Sequence, residues 1–499
     1  MNEPSLHRKT RKFSGYDAYS LERDQAYHLL PFRFHRIHNG KEVLVSEIGD
    51  FLIVPGGTAQ RIITRELSKA ADPVLYADLE SAFFISETAV PPLIDVMATR
   101  YRTKKSFLDY FTSLHIFVIS LRCEHTCHYC QVSRASQDKN AFDMSHHHID
   151  KGIAMMMRSP SPHVTMEFQG GEALLAFDNI VYAVEKVKEE SLRYNKDVTY
   201  VICTNLALLN DEIALYCKEN RILLSTSLDG PAHVHNQNRH RPGNNSYELA
   251  VAGIELAREI LGRDRVSALL TTTNLSLQYP RQIVDEYFAR GFRSIFLRPI
   301  SPYGFAARNE KKNRYLTADF LAFYKEALAH IIDYNLSGEF FREDYACIIL
   351  KKMLTPFPVG YVDLQSPAGM INNVIVFNYD GSIYATDESR MLAEMKDFSF
   401  LLGSLDTHSY EEIFYGDKAM TFSECWSNES LPGCSDCAFQ SYCGADPVFH
   451  HATQGDMVGH RPTSSFCQRN MGIITHLIEL MDSDARIEKI FRSWISGRN

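Results

Sequence analysis

The segment Arg122-Cys123-Glu124-His125-Thr126-Cys127-His128-Tyr129-Cys130 places three thiols on one short loop, with three and then two residues between them. Three thiolates so spaced can hold three corners of an iron–sulfur cubane and leave the fourth iron open to an exogenous ligand. Zinc is the competing reading. A structural zinc takes four protein ligands, so His125 or His128 would have to complete the set. A second group, Gly433-Cys434-Ser435-Asp436-Cys437-Ala438-Phe439-Gln440-Ser441-Tyr442-Cys443-Gly444, is joined by Cys467 in a Cys-x2-Cys-x5-Cys…Cys order. Four such ligands can close a site, and spacing alone does not separate tetrahedral zinc from a cubane. The other four of the eleven cysteines, Cys203, Cys217, Cys347 and Cys425, read as small buried hydrophobes.

Placing the first loop requires a scaffold, and from about residue 113 the sequence supplies one. Compact apolar runs, LHIFVISL, VTMEF, VTYVIC, ILLSTS, VSALLTT and SIFLR, alternate with amphipathic helical stretches such as DNIVYAVEKVKEESL. In that stretch Asp178 can cap the first turn, and Ile180, Val184 and Val187 share one face. Strands alternating with crossover helices form a right-handed parallel sheet, and six units make an open barrel. The cysteine loop follows the first strand. Gln169-Gly170-Gly171-Glu172 ends the second, where two glycines allow close backbone approach and Glu172 can accept from an ammonium group. The other strand ends carry Asn205, Ser227, Asn274 and Arg298. A Ser227 hydroxyl suits a ribose, and Arg239 or Arg298 a carboxylate. Asn205, Asn274 and Arg298 read better as polar strand ends.

Outside the barrel the predicted organisation is an amino-terminal module over 1–110, the barrel over 111–310, a helical linker over 311–355, and a loop-rich region with a terminal helix over 356–499. The module shows two β-like runs, EVLVSEI and DFLIV, before helical segments, which suggests a winged-helix-like unit. The fold class is thus α/β: an open partial (β/α)6 barrel with a winged-helix-like module before it and a loop-rich cluster-binding domain after it. A net charge of -9 argues against nucleic acid as the main partner. No apolar run approaches a bilayer-spanning length and MNEPSLHRKTRK lacks the apolar segment of a secretory signal, so no membrane association and a cytoplasmic location are expected. There thiols stay reduced, which favours metal or cluster ligation over disulfides.

Cys-x-x-x-Cys-x-aromatic-Cys after strand one, with Gly-Gly-Glu about forty residues later, resembles the radical S-adenosylmethionine superfamily. The resemblance implies a [4Fe-4S] cluster on Cys123, Cys127 and Cys130 whose open iron binds S-adenosylmethionine. It also implies Tyr129 on the adenine side, Gly170, Gly171 and Glu172 at the methionine moiety, and Ser227 and Arg239 as further cofactor contacts. The carboxyl-terminal cysteines resemble the SPASM extension of members that modify ribosomally made peptides. LLPFRF at Leu29, FLRPISPYGFA at Phe296 and CGADPV at Cys443 make the chain most similar to the His-Xaa-Ser system maturases.

By that resemblance the substrate is a precursor peptide that acquires a crosslink, with an electron donor such as flavodoxin or ferredoxin as partner and a second maturase left open. The amino-terminal module resembles leader-peptide recognition domains. Asp387 stands where sulfatase maturases of similar pattern place a substrate base. Three cysteines of the full SPASM pattern are replaced by Ser366, Thr386 and Pro447, all belonging to the inner auxiliary cluster. One auxiliary [4Fe-4S] cluster is therefore expected, on Cys434, Cys437, Cys443 and Cys467. A formylglycine-type maturase and a zinc-stabilised peptide-binding scaffold are the alternative readings.

Overall fold

The computed structural model describes residues 27–88, 90–309 and 313–497, so the MNEPSLHRKTRK segment lies outside the described residues. The chain divides into two compact units, Met1–Ala98 and Thr99–Asn499.

In the first unit β1 (Phe32–Arg36), β2 (Lys41–Ser46) and β3 (Phe51–Pro55) form an antiparallel sheet in that order, with Phe34 opposite Leu44 and Leu44 opposite Leu52. Leu44, Val54, Ile62, Leu79 and Phe84 build its core. Helix α1 (Thr58–Ile63) supplies Ile62. Helix α2 (Pro73–Ser81) starts at Asp72, whose carboxylate accepts from the Leu75 amide at 3.1 Å, with Pro73 in the first turn. A third helix, α3 (Val90–Lys104), follows. The sheet has three strands where the sequence reading found two. The additional one, Phe-Arg-Phe-His-Arg, is a half-buried edge whose charged alternate positions hide it as an apolar run.

In the second unit six parallel strands, β4 (Leu114–Ser120), β5 (His163–Gly170), β6 (Asp197–Cys203), β7 (Leu223–Ser227), β8 (Val266–Thr272) and β9 (Leu297–Pro299), lie side by side in chain order. Helices α4 (His146–Met157), α5 (Phe177–Tyr194), α6 (Asp211–Glu219), α7 (Ala232–Asn238), α8 (Ser246–Leu261) and α9 (Pro280–Ala289) occupy the connections. This is the expected open barrel. Its outer layer is apolar: Phe117 on β4 and Phe168 on β5 are fully buried, and each ring so buried stabilises by about 1.5–3 kcal/mol. In α5, Ile180, Val184 and Val187 form the buried face, but Asp178 makes no cap bond; it lies inside the first turn, where its charge complements the helix dipole.

Two further departures from the sequence reading concern strands. The run SIFLR breaks in two: Ser294–Ile295 pairs with Arg342–Glu343, and only Leu297–Pro299 joins the barrel. The region beyond residue 355, which shows little periodicity, contributes β10 (Val374–Phe377), β11 (Ser382–Tyr384) and β12 (Leu401–Ser404) to the same nine-stranded sheet. Strand β10 runs parallel to β4, with Val376 opposite Ile116, and β11 and β12 return antiparallel. Helix α10 (Thr317–Leu336) and helix α11 (Asp344–Leu354) pack against the terminal helices α14 (Ser465–Ser483) and α15 (Ala485–Ser496). Between them in the chain come α12 (Asp387–Ala393) and α13 (Pro447–Gln454). Among the described residues no helix is long and apolar enough to cross a membrane.

Candidate active site

Strand β4 delivers the cysteine loop to the carboxyl-terminal edge of the sheet. Its emergence is fixed by Arg122, which donates to Asp143 from Nε and Nη2 at 2.7 Å each and to the Leu175 carbonyl at 2.6 Å. Cys123 and Cys130 are part-exposed and Cys127 sits between them, and the charges of neighbouring thiols act on one another. Burial pushes the Cys123 thiol far up and the Cys127 thiol up to about 12, so neither ionises unaided at neutral pH. A coordinated cation is what would hold such groups as thiolates. The histidines of the loop are engaged elsewhere. His125 pairs Nδ1 with Glu124 at 3.0 Å and Nε2 with Ser246 at 2.8 Å, and His128 pairs Nδ1 with Asn313 at 2.6 Å. Cys123, Glu124 and His125 do bring ligand-type atoms within 4.8 Å of one another, which keeps zinc among the metals to be tested.

The Gly-Gly-Glu turn closes against this loop. The Gly171 amide donates to the Ser120 carbonyl at 2.8 Å and the Glu172 amide to the Arg122 carbonyl at 2.7 Å. A Cβ on Gly170 would collide with the Ser120 carbonyl and one on Gly171 with the Arg122 carbonyl. The close approach that these glycines permit is thus to the backbone carrying the cysteines. We expect Gly171→Ala to unseat the loop, read as loss of iron from the reconstituted protein at unchanged secondary structure by circular dichroism. Glu172 is 1% exposed. It accepts from the Leu174 amide at 3.0 Å, the Thr204 hydroxyl at 2.5 Å and the Asn205 amide at 2.8 Å. Burial, then the charge of Glu124, raises it to about 7.

Within the loop, Tyr129 donates to Asp229 at 2.6 Å, Arg239 reaches the same oxygen at 3.3 Å, and the guanidinium lies 5.5 Å over the Tyr129 ring. Asp229 is fully buried and its other oxygen has no hydrogen-bond partner. Ser227 ends β7, half-buried at the same edge. Sequence reasoning passed over Asp229, and it set aside Asn205, which donates to Glu124 at 2.8 Å and ties the cysteine loop to the third strand. Arg298 and Asn274 do not join this group: Arg298 faces Glu388 at 3.7 Å, and Asn274 donates to the Arg314 carbonyl at 2.7 Å.

Inside the barrel β5 alternates, with Thr165, Glu167 and Gln169 half-buried and Met166 and Phe168 fully buried. Parallel strands covered on both faces are apolar throughout, so this alternation was the available signal for a polar interior. Glu167 accepts from Gln169 at 2.7 Å and from the Cys203 thiol at 3.4 Å. Cys203 therefore lines the interior, whereas Cys217, Cys347 and Cys425 are buried as expected. Asp387 opens α12, and its charge bears on both Glu167 and Cys203. Burial raises the Asp387 carboxyl, against the lowering influence of Arg390 and Arg298.

Farther along the chain Cys434, Cys437, Cys443 and Cys467 line one pocket. Cys467 reaches it from the first turn of α14, and Asn470 donates to the Cys443 sulfur at 3.4 Å. Burial pushes Cys437 up to about 12 and Cys467 up to about 11. Ser366, Thr386 and Pro447 have local work instead. Ser366 donates to Glu429 at 2.5 Å, Thr386 caps α12 through the Ser389 amide at 3.1 Å, and Pro447 begins α13.

Comparison with known proteins places this geometry. The family model described as the radical SAM superfamily matches residues 117–286. A cysteine-type anaerobic sulfatase-maturating enzyme of Clostridium novyi is 23% identical over 375 residues, covering 72% of this chain and 95% of the relative. A serine-type counterpart from Bacteroides thetaiotaomicron is 23% identical over 350 residues, covering 66% and 80%. Among solved structures, native anSMEcpe with bound AdoMet superposes with a TM-score of 0.63 at 18% identity, covering 77% of this chain and 99% of that one. Streptococcus suis SuiB bound to precursor peptide SuiA gives 0.50 at 13% identity, covering 89% and 100%. The cysteine loop, the Gly-Gly-Glu turn, the barrel strands β5 to β8 and most of β4 fall inside the matched stretch, and the chain carries a radical SAM domain there.

Proposed function

We propose that the protein modifies a ribosomally made precursor peptide and forms a new crosslink in it. The observation that carries this reading is the placement of Asp387 over the polar barrel interior, on the edge where the cysteine loop emerges. When bound, a [4Fe-4S] cluster and S-adenosylmethionine supply the 5'-deoxyadenosyl radical that takes a hydrogen atom from the substrate. Cys123, Cys127 and Cys130 would hold that cluster. Gly170, Gly171 and Glu172 shape the floor beside it, Tyr129 and Arg239 are set by Asp229, and Ser227 offers a hydroxyl at the next strand end. Asp387 would take the proton released as the carbon radical becomes product.

The amino-terminal module over 1–110 would receive the leader segment of the peptide, as a strand added to an exposed edge. A flavodoxin or ferredoxin would deliver electrons. The division into module, barrel, helical linker and carboxyl-terminal cluster domain is part of this proposal, as is a cytoplasmic location.

The sulfatase-maturating relatives favour a second reading, oxidation of a Ser or Cys on a protein to formylglycine. Mass spectrometry of product from the natural substrate decides between them. A crosslink removes two hydrogens and leaves the peptide inert to hydrazides, whereas formylglycine reacts with them.

One auxiliary cluster is proposed, on Cys434, Cys437, Cys443 and Cys467. Anaerobic reconstitution with iron and sulfide counting and Mössbauer spectroscopy is expected to find about eight irons per chain, two cubanes. About twelve would mean that other residues hold an inner cluster. About four with one zinc would mean that the carboxyl-terminal thiols hold zinc, the arrangement of a zinc-stabilised scaffold at that end.

A further inference from the structure

Beside Asp387 lies a second pocket that the chemistry above leaves unused. Three carboxylates line it, Asp363, Glu388 and Asp446, against two guanidiniums, Arg298 and Arg469. One of those cations faces Glu388, at 3.7 Å; the other lies over the Phe449 and Phe466 rings, 5.9 and 5.3 Å from their centres. Asp363 accepts from the Tyr361 hydroxyl at 2.9 Å and Asp446 caps α13 through the Phe449 amide at 2.9 Å, so neither has a cation in direct contact through those bonds. The three acids thus outnumber the two guanidiniums, and burial together with the charges of neighbouring acids raises Glu388 to about 8 and Asp446 to about 7. Buried carboxylates so placed are stabilised in their ionised form by a cation brought among them.

Two further observations point to what would supply it. The Tyr303 hydroxyl, on a residue 1% exposed, lines the pocket without a hydrogen-bond partner. Phe296, Tyr345 and Tyr361 form an aromatic wall, their ring centres 5.7 to 6.1 Å apart. An aromatic wall with carboxylates suits an organic cation, whose apolar stem packs on the rings while its charge meets the acids; a small divalent ion gains nothing from the rings. Access is open, since the side chains of Arg298 and Glu388 are 30% and 21% exposed.

We infer that this pocket binds one positively charged side chain, lysine or arginine, of the polypeptide substrate, held by Asp363, Glu388 and Asp446 and by the Tyr303 hydroxyl. Glu388 follows Asp387 directly on α12, so a side chain anchored here sets which neighbouring substrate residue comes within reach of Asp387. The inference rests on the reading of the protein as a polypeptide-modifying enzyme and names part of what its substrate must carry.

The test uses the reconstituted full-length protein and four probes, N-acetyl, C-amide Gly-X-Gly peptides with X as Lys, Arg, Gln or Glu, followed by ligand-observed NMR at physiological salt. The Lys or Arg peptide should bind roughly tenfold or more tighter than the Gln and Glu peptides, the difference expected of a charge-assisted bond. That margin should vanish in Glu388→Gln/Asp446→Asn. Tyr303→Phe, which alters no charge and little volume, should shrink it severalfold. Equal binding of all four probes, preference for the Glu peptide, or a cation preference that survives both variants would overturn the inference. So would tight, stoichiometric Mn2+ binding by electron paramagnetic resonance that the double variant abolishes, since the acids would then be a metal site. Reductant-driven 5'-deoxyadenosine formation by the same wild-type preparation is measured alongside. Its absence would count against the radical reading while leaving the peptide-binding result standing.

Discussion

Replacing Cys123, Cys127 and Cys130 together with Ala is expected to abolish formation of 5'-deoxyadenosine and to remove about four irons per chain, the content of one cubane. The expectation is of total loss because no other group in the loop can substitute. Glu124 and both histidines are held in hydrogen bonds to Asn205, Ser246 and Asn313. The scaffold should survive, because Arg122 anchors the loop through Asp143 and the Leu175 carbonyl without the thiols. Anaerobic turnover with dithionite, quantified by chromatography, checks the activity, and iron analysis of the same sample checks the content. Undiminished 5'-deoxyadenosine in the triple variant would remove the cysteine loop from the reaction.

The parts of this site that were legible from sequence are those where chemistry is written in spacing. Three thiols on one loop after an apolar run, and a Gly-Gly-Glu one strand later, specify both a donor set and its place on a parallel sheet. The residues that escaped notice act through partners distant in the chain. Asp229 matters because Tyr129 and Arg239, 100 and 10 residues away, converge on one of its oxygens. Glu167 matters because Cys203 and Asp387 come from other elements to meet it. In the fold, long amphipathic helices and buried strands declared themselves by period. The strands β10 to β12 did not, because each is three or four residues long, and the one that joins them to the barrel, β10, pairs with β4 across the whole barrel segment. The Ser294–Leu297 run misled for the opposite reason: its apolarity is continuous, yet Phe296 turns toward Tyr345 and Tyr361 and breaks the strand's pairing.

Asp387→Asn is expected to reduce modified product by about 10²- to 10⁴-fold, the range for loss of a positioned proton acceptor, while uncoupled 5'-deoxyadenosine continues to accumulate. The two outcomes separate because hydrogen-atom transfer precedes the proton's departure, and only the second needs a base. The site suits the role. Burial raises the Asp387 carboxyl, which strengthens it as an acceptor, while Arg390 at 3.8 Å and Arg298 act to lower it. One of its oxygens has no hydrogen-bond partner, leaving a lone pair free to receive a proton. Asparagine keeps the shape and removes the basicity. Asp387 is also the first residue of α12 after a Thr386 cap that does not involve its side chain, so the helix start should persist in the variant. Liquid chromatography with mass spectrometry of peptide and nucleoside from one reaction gives both quantities. Parallel loss of product and 5'-deoxyadenosine would instead assign Asp387 to the integrity of the site, and normal product would remove it from the mechanism.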